Sequence, residues 1–314
     1  MVCAGGCTES VVCPESAEAR AERPDQDPRP VYVEQADPYQ AGPLAVGTRI
    51  VEACELGAPV PIRLHSPLHP GNYAVVLFLH GFMTPPSAYD DILRHVASHG
   101  FVVLAPELVG DWPGFVMGVP SLDEQAELAG RVMDWAPGNL EPLTGVSART
   151  GLLAVGGHSL GAKVAWLFLT RSQHEARAVA VVDPVDATPV PFGNGAAITA
   201  HQAPFNLPSL VLGAGISGLC SFDGANHEAY FEASASPAWH MVARDYGHQD
   251  MLDEEDGEAA RKLCGSGPDR DGMRRFAGGA MSALFRAELQ GDGKAYEYLG
   301  DPELMPIDVE LQER

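Results

Sequence analysis

Basic residues are scarce in this chain: 20 lysines and arginines stand against 42 aspartates and glutamates, a net charge of −22 over 314 residues. Such a chain repels phosphate backbones, which excludes nucleic acid as a partner, and the acidity weakens the case for a polybasic membrane anchor. Long apolar runs are missing too. The longest, Ala74 to Leu79 and Phe101 to Pro106, fall far short of the ~18 residues of a spanning helix and have the length of buried strands. No transmembrane segment is expected.

Cysteine is sparse, six in all, and implies no disulfide framework. Cys3, Cys7 and Cys13 cluster near the start, but no following His or Cys pair completes a zinc spacing, so no metal site is expected there. Cys54, Cys220 and Cys264 sit in ordinary core or loop sequence, and a Cys220–Cys264 bridge stays open. The opening MVCAGGCTESVVCPE has neither the basic n-region nor the apolar h-region of a secretory signal, and the residues after it are too acidic for a clear transit peptide.

What is present is a chain 46% apolar and long enough to bury one substantial core. Residues 1–40, with five prolines set among charges from Pro14 to Pro38, read as a disordered tail whose loss should leave folding unchanged. Residues 41–300 read as one domain and 301–314 as a C-terminal tail. TRIVEA and PVPIRLHSP form an expected antiparallel hairpin at a sheet edge. The pattern then changes to continuous apolar runs, AVVLFLH (74–80), FVVLAPEL (101–108), LLAVGG (152–157), AVAVVD (178–183), SLVLGAG (209–215) and WHMVARD (239–245), with helical spacings between them. Ser121 to Glu124 is a capping box, and 273–289 is an amphipathic helix. Runs of this kind belong to strands covered on both faces, so the fold class is α/β, a mostly parallel sheet between helices, with reactive residues at the carboxyl ends of strands.

Gly157-His158-Ser159-Leu160-Gly161 lies between such a strand and the helix AKVAWLFLT, the setting of a nucleophile elbow. The turn lifts the Ser159 hydroxyl clear of the backbone and leaves the Leu160 N–H beside it. A serine needs a base, which in this arrangement comes late in the chain, after the acid. Five histidines follow Ser159, and His248, in DYGHQD directly after the last parallel strand, is the expected base. AVAVVD ends on Asp183, the expected acid, with Asp186 as the competitor, expected to be solvated or to cap a turn. The oxyanion donors are the backbone amides of Leu160 and of Phe82, in the His80-Gly81-Phe82-Met83 turn that resembles the H-G-x element of lipases. His80 is expected to hold that turn. Met83, Trp112, Phe115, Met117 and Phe222 fall in loops at the same end and would make an apolar mouth, with 109–120 as a lid-like loop.

Taken in order, LFLHGF, HVASHGFVVLAPEL, GHSLGAK, VDPVDATP, NHEAYF, ARDYGHQDMLD and MRRFAGG resemble the chlorophyllases of plants and green algae, over about Tyr73 to Leu289. The resemblance implies an α/β-hydrolase fold and hydrolysis of the phytyl ester of chlorophyll to chlorophyllide and phytol, with serine, aspartate and histidine at Ser159, Asp183 and His248. It implies no cofactor, since the magnesium belongs to the substrate. It also implies peripheral contact with pigment-bearing membranes and a chloroplast address, although no clear transit peptide leaves the cytoplasm open. Leu160 and Ala162 stand where many plant members carry arginine and glycine, a departure that bears on preference among chlorophyll a, chlorophyll b and pheophytin. The rival readings are a general carboxylesterase or lipase and a non-catalytic pigment or lipid carrier.

Overall fold

The computed structural model describes residues 36–82, 84–109, 119–187, 197–199, 206–216, 218, 220–221, 226–253 and 258–314. Nine strands form one sheet: β1 (Val46–Val51), β2 (Ile62–Pro67), β3 (Asn72–Leu79), β4 (Phe101–Pro106), β5 (Ser147–His158), β6 (Ala176–Val182), β7 (Ser209–Ile216), β8 (Ala238–Gly247) and β9 (Val309–Glu313). Their spatial order is β1-β2-β4-β3-β5-β6-β7-β8-β9. β3 to β8 run parallel, while β1, β2 and β9 pair antiparallel at the two margins. This is the expected α/β class.

The helices of the described residues include α1 (Asp90–Ser98), α2 (Leu122–Trp135), α3 (Leu140–Thr144), α4 (Leu160–Arg171), α5 (His227–Glu232), α6 (Glu258–Cys264) and α7 (Arg270–Phe285), with a short α8 (Glu297–Gly300). Side chains alternate along a strand, so each central strand feeds two cores. On β3, Ala74, Val76 and Phe78 pack with Ile92, Leu93 and Val96 of α1 and Phe276 and Met281 of α7. Val75, Leu77 and Leu79 face the other way, onto Val132 and Met133 of α2 and Val164 and Phe168 of α4. Both faces are therefore covered, which is why the strand reads as an unbroken apolar run. α2 opens on the expected capping box, Ser121 accepting from the Glu124 amide while the Glu124 carboxylate accepts from Ser121 N–H.

Two expectations are corrected. The tail assigned to 1–40 does not reach residue 40: Tyr39 is buried, stacks on Phe276 and bonds the Tyr298 carbonyl at 2.8 Å. It sits where Gly279 lacks a side chain, a Cβ there falling 2.2 Å from the Tyr39 ring. Residues 301–314 are not a tail either. β9 pairs with β8 from Ala243↔Val309 to Trp239↔Glu313, and Arg314 lies 4.4 Å over the Phe231 ring. An edge strand is held by backbone bonds and needs no apolar run. Only Val309 of β9 is buried, so its sequence carries no strand-like periodicity. The bridge that the sequence leaves open is formed: Cys220 is bonded to Cys264, and Cys54 is disulfide-bonded as well.

Among the described residues, no helix is long and apolar enough to cross a membrane.

Candidate active site

β5 ends at His158 and α4 begins at Leu160, so Ser159 must turn the chain within one residue. It does so at φ 56°, ψ −123°, a conformation that costs a non-glycine residue on the order of 1–3 kcal/mol. Two backbone bonds hold it there: Ser159 N–H to the Val182 carbonyl at 3.1 Å, and Val185 N–H to the Ser159 carbonyl at 3.2 Å. The elbow glycines are required by close approach. A Cβ on Gly161 would lie 2.0 Å from the Leu79 carbonyl oxygen, and one on Gly157 would lie 2.5 Å from that of Gly161. The sharp turn presents the Ser159 hydroxyl at the carboxyl edge of the sheet.

His248 directly follows β8, and its Nε2 lies 2.9 Å from Ser159 Oγ. Its Nδ1 lies 2.5 Å from Asp183 Oδ2. Asp183 follows β6 at φ 36°, is fully buried, and accepts a second bond from Ala214 N–H at 3.0 Å. Burial by itself would push this carboxyl up. The His248 hydrogen bond and charge, the nearby His227 and the Ala214 amide outweigh it and hold the group below the ordinary aspartate value. An ionised Asp183 fixes a proton on Nδ1 and leaves the Nε2 lone pair facing the serine hydroxyl, which is the tautomer a general base requires.

Asp186, the competitor, is not solvated, and its carboxylate bonds groups other than His248. It is fully buried and accepts from Ile198 N–H at 2.8 Å, Thr199 N–H at 3.0 Å and the Thr199 hydroxyl at 2.6 Å. Lys163, buried on α4, lies 3.5 Å from its carboxylate and donates to its carbonyl at 2.6 Å. A carboxylate that organises a loop and balances a buried ammonium looks like a capping aspartate in sequence, but folding has taken it out of water.

The other late histidines have other bonding partners. His227 and His240 are buried against each other, ring nitrogens 2.8 Å apart, and His174 pairs with Asp134 at 3.1 Å. His201 lies outside the described residues.

Phe82 follows β3 on a turn that touches the elbow, a Cβ on Gly81 falling 3.2 Å from Ser159 Cβ. His80 receives the Leu108 N–H on Nε2 at 3.0 Å and so donates Nδ1–H to the Gly81 carbonyl at 2.9 Å. That carbonyl belongs to the same peptide plane as the Phe82 N–H, so His80 orients the expected oxyanion donor. Burial keeps the His80 ring below the usual histidine value, and hence neutral. Leu160, first residue of α4, has no carbonyl one turn back within the helix for its N–H to bond. Met83, Trp112, Phe115, Met117 and Phe222, the expected apolar mouth, lie outside the described residues, as do 110–118 of the lid-like loop.

The geometry is that of a hydroxyl bonded to an imidazole that is itself bonded to a carboxylate, an arrangement suited to cleaving acyl bonds. The chlorophyllase family model matches residues 34–314, a span that takes in every described residue and reaches beyond the Tyr73–Leu289 stretch that carries the motifs.

The chain belongs to the chlorophyllase family.

Its relatives agree. Chlorophyllase-2 of Arabidopsis thaliana is 32% identical over 278 residues, covering 81% of this chain and 86% of that protein. Chlorophyllase-1, chloroplastic, of Citrus unshiu is 33% identical over 272 residues, 81% and 80% of the two chains. Chlorophyllase type 0 of Chenopodium album is 32% identical over 271 residues, 78% and 76%. Family membership makes this chlorophyllase-family chain a carboxylic-ester hydrolase of the α/β-hydrolase fold.

Three residues that the motifs do not single out also touch the site: Tyr89, His158 and Asp250. Asp250 is buried and accepts from Gly247 N–H at 2.7 Å and Gly267 N–H at 2.6 Å, closing the turn that carries His248. Its position two residues after the histidine, in GHQD, is the only local sign of that role.

Proposed function

We propose that this protein hydrolyses the phytyl ester of chlorophyll to chlorophyllide and phytol through an acyl-enzyme on Ser159. The observation that carries the reading is the unbroken Ser159–His248–Asp183 hydrogen-bond chain in a member of this family. Ser159 Oγ attacks the ester carbonyl as its proton passes to His248 Nε2. Asp183 stabilises the resulting imidazolium, and the Leu160 and Phe82 amides take the charge on the carbonyl oxygen. His248 returns the proton to the phytol oxygen as the C–O bond breaks. It then deprotonates a water that attacks the acyl carbon, and Ser159 recovers its proton as chlorophyllide leaves. Magnesium enters and leaves with the pigment.

Chlorophyll is embedded in pigment-bearing membranes, and a chain without a spanning helix among its described residues fits peripheral contact with them. Two Citrus relatives are described as chloroplastic, which supports the same address here. The apolar mouth is assigned to Met83, Trp112, Phe115, Met117 and Phe222 on their loop positions after the parallel strands.

The test is hydrolysis of chlorophyll beside a p-nitrophenyl ester, with Ser159→Ala as control. Chlorophyllide release that Ser159→Ala lowers by ~10⁴- to 10⁶-fold supports the reading. Turnover of the small ester alone points to a general carboxylesterase, and undiminished turnover in the variant ends the serine mechanism.

A further inference from the structure

We infer that Tyr89 and His158 are positioning residues for this hydrolysis, joined in one buried chain that ties the oxyanion turn, the nucleophile elbow and the His248 loop together. The inference rests on the serine-hydrolase reading above. Its links are Gly81 N–H to Tyr89 Oη at 2.9 Å, Tyr89 Oη to His158 Nδ1 at 2.8 Å, and His158 Nε2 to the His248 carbonyl at 3.0 Å. Tyr89 and His158 are wholly shielded from solvent.

Both ends of this chain fix its direction. A carbonyl only accepts, so His158 carries its proton on Nε2. Its Nδ1 then holds a lone pair, and the Tyr89 hydroxyl must donate to it. At the other end Gly81 N–H only donates, and the tyrosine oxygen accepts. No link can reverse unless His158 takes a second proton. Burial opposes that first, and the neighbouring His248 opposes it next, so the ring titrates only at about 3. His158 is thus a neutral spacer 4.7 Å, ring centre to ring centre, from the base itself.

The anchored segments come from three places in the sequence, and each carries part of the reaction. Gly81 precedes the Phe82 donor, His158 precedes Ser159, and the bonded carbonyl is that of His248. Gly81 is gripped on both sides, its N–H by Tyr89 and its carbonyl by His80. Tyr89 in turn is set by the Phe78 ring at 5.0 Å and by the start of α1. The chain passes through the three segments that carry the reacting groups. Its consequence is relative placement: a reacting group displaced by about 1 Å can cost ~10²-fold in rate.

The experiment compares Tyr89→Phe, His158→Asn and the double variant with the parent, on chlorophyll and on a p-nitrophenyl ester, per active site titrated with a fluorophosphonate. Tyr89→Phe keeps the ring and removes one oxygen. The expected result is a kcat lower by about ten- to a hundredfold with KM within about twofold, and a matching fall in the labelling rate of Ser159. The double variant should lose less than the product of the two singles, because one chain is being cut twice. A Tyr89→Phe kcat within about twofold of the parent overturns the inference, since a packing role changes the folded fraction and not turnover per titrated site. If the variants do not fold, ¹⁵N spectra of the intact protein decide: His158 neutral and protonated on Nε2 from pH 5 to 8 is expected, and a proton on Nδ1 overturns it. The two proposals fail separately. Active Ser159→Ala protein defeats the hydrolase reading, whereas inactive Ser159→Ala beside a fully active Tyr89→Phe defeats only this one.

Discussion

Asp183 and Asp186 stand three residues apart, both fully buried, and their carboxylates serve unlike partners. Asp183 binds the His248 ring and the Ala214 amide; Asp186 binds the 198–199 backbone, the Thr199 hydroxyl and Lys163. One carboxylate therefore meets a histidine ring and the other a loop. Asp183→Asn should fold and lose about 10⁴ in kcat, because an amide favours the wrong histidine tautomer. Asp186→Asn should keep kcat within about tenfold yet lose ~1.5–3 kcal/mol of stability, the worth of a hydrogen bond to a charged group. Steady-state kinetics and urea unfolding on both variants check the pair, and the opposite ranking would move the acid to Asp186.

The N-terminal boundary gives a second expectation. Deleting 1–35 and deleting 1–40 differ only in residues 36–40, which contribute the Tyr39 stack, the Pro38 carbonyl accepting from His95 at 2.7 Å and the Ala36 carbonyl accepting from Arg286 at 2.5 Å. Loss of a buried aromatic costs ~3–5 kcal/mol, so the longer deletion should melt distinctly lower than the shorter. Equal melting temperatures would mean that Tyr39 contributes nothing to the core.

The Cys220–Cys264 bridge closes a separation of 44 residues. Just beyond it, Ser266 and Gly267 bond the Asp250 carboxylate that closes the His248 turn. In the chain-entropy account a loop of this size is worth ~4 kcal/mol, at the upper end of the ~2–4 kcal/mol typical of disulfides. A Cys220→Ser, Cys264→Ser double variant should fall in stability by that amount, read by thermal or urea unfolding against the oxidised parent. No change on removing the bridge would show that the fold holds this segment without it.

Asp253 supplies a pH dependence with a definite sign. Burial first, then Asp91 and Asp90, push its carboxyl up to about 6, against the Asp91 amide and Arg274, which pull the other way. The native state thus holds this proton more tightly than the unfolded chain, whose aspartates titrate near about 3.9. The stabilising contribution is complete below that value and lost as the pH rises through about 6. Asp253→Asn keeps an oxygen for the Asp91 N–H, which now bonds Oδ1 at 3.1 Å, and removes the charge. Its melting temperature should exceed the parent's at pH 7.5 and match it at pH 4. A variant no more stable at pH 7.5 would place Asp253 in an ordinary solvated setting.

Much of the architecture was legible along the chain because its determinants are local. Unbroken apolar runs marked strands covered on both faces, and the glycines around Ser159 marked a turn too tight for side chains. His248 and Asp183 stood out because each directly follows a strand, where backbone direction fixes a side chain without any distant contact. Other features had no local signature. β9 is held by backbone bonds to β8 and keeps polar side chains, so its sequence looks like a tail. Tyr39 is a core residue only because Gly279, 240 positions away, leaves room for its ring. Asp186 reads like any turn-capping aspartate until Lys163 and Thr199 close over it. The chain from Gly81 through Tyr89 and His158 to His248 likewise joins residues whose spacing follows no helical or strand period. The elements and the chemistry at their ends can be read locally, since burial pattern and turn sterics act over a few residues. Which polar groups meet emerges on packing, because a buried hydrogen bond depends on where distant segments come to rest.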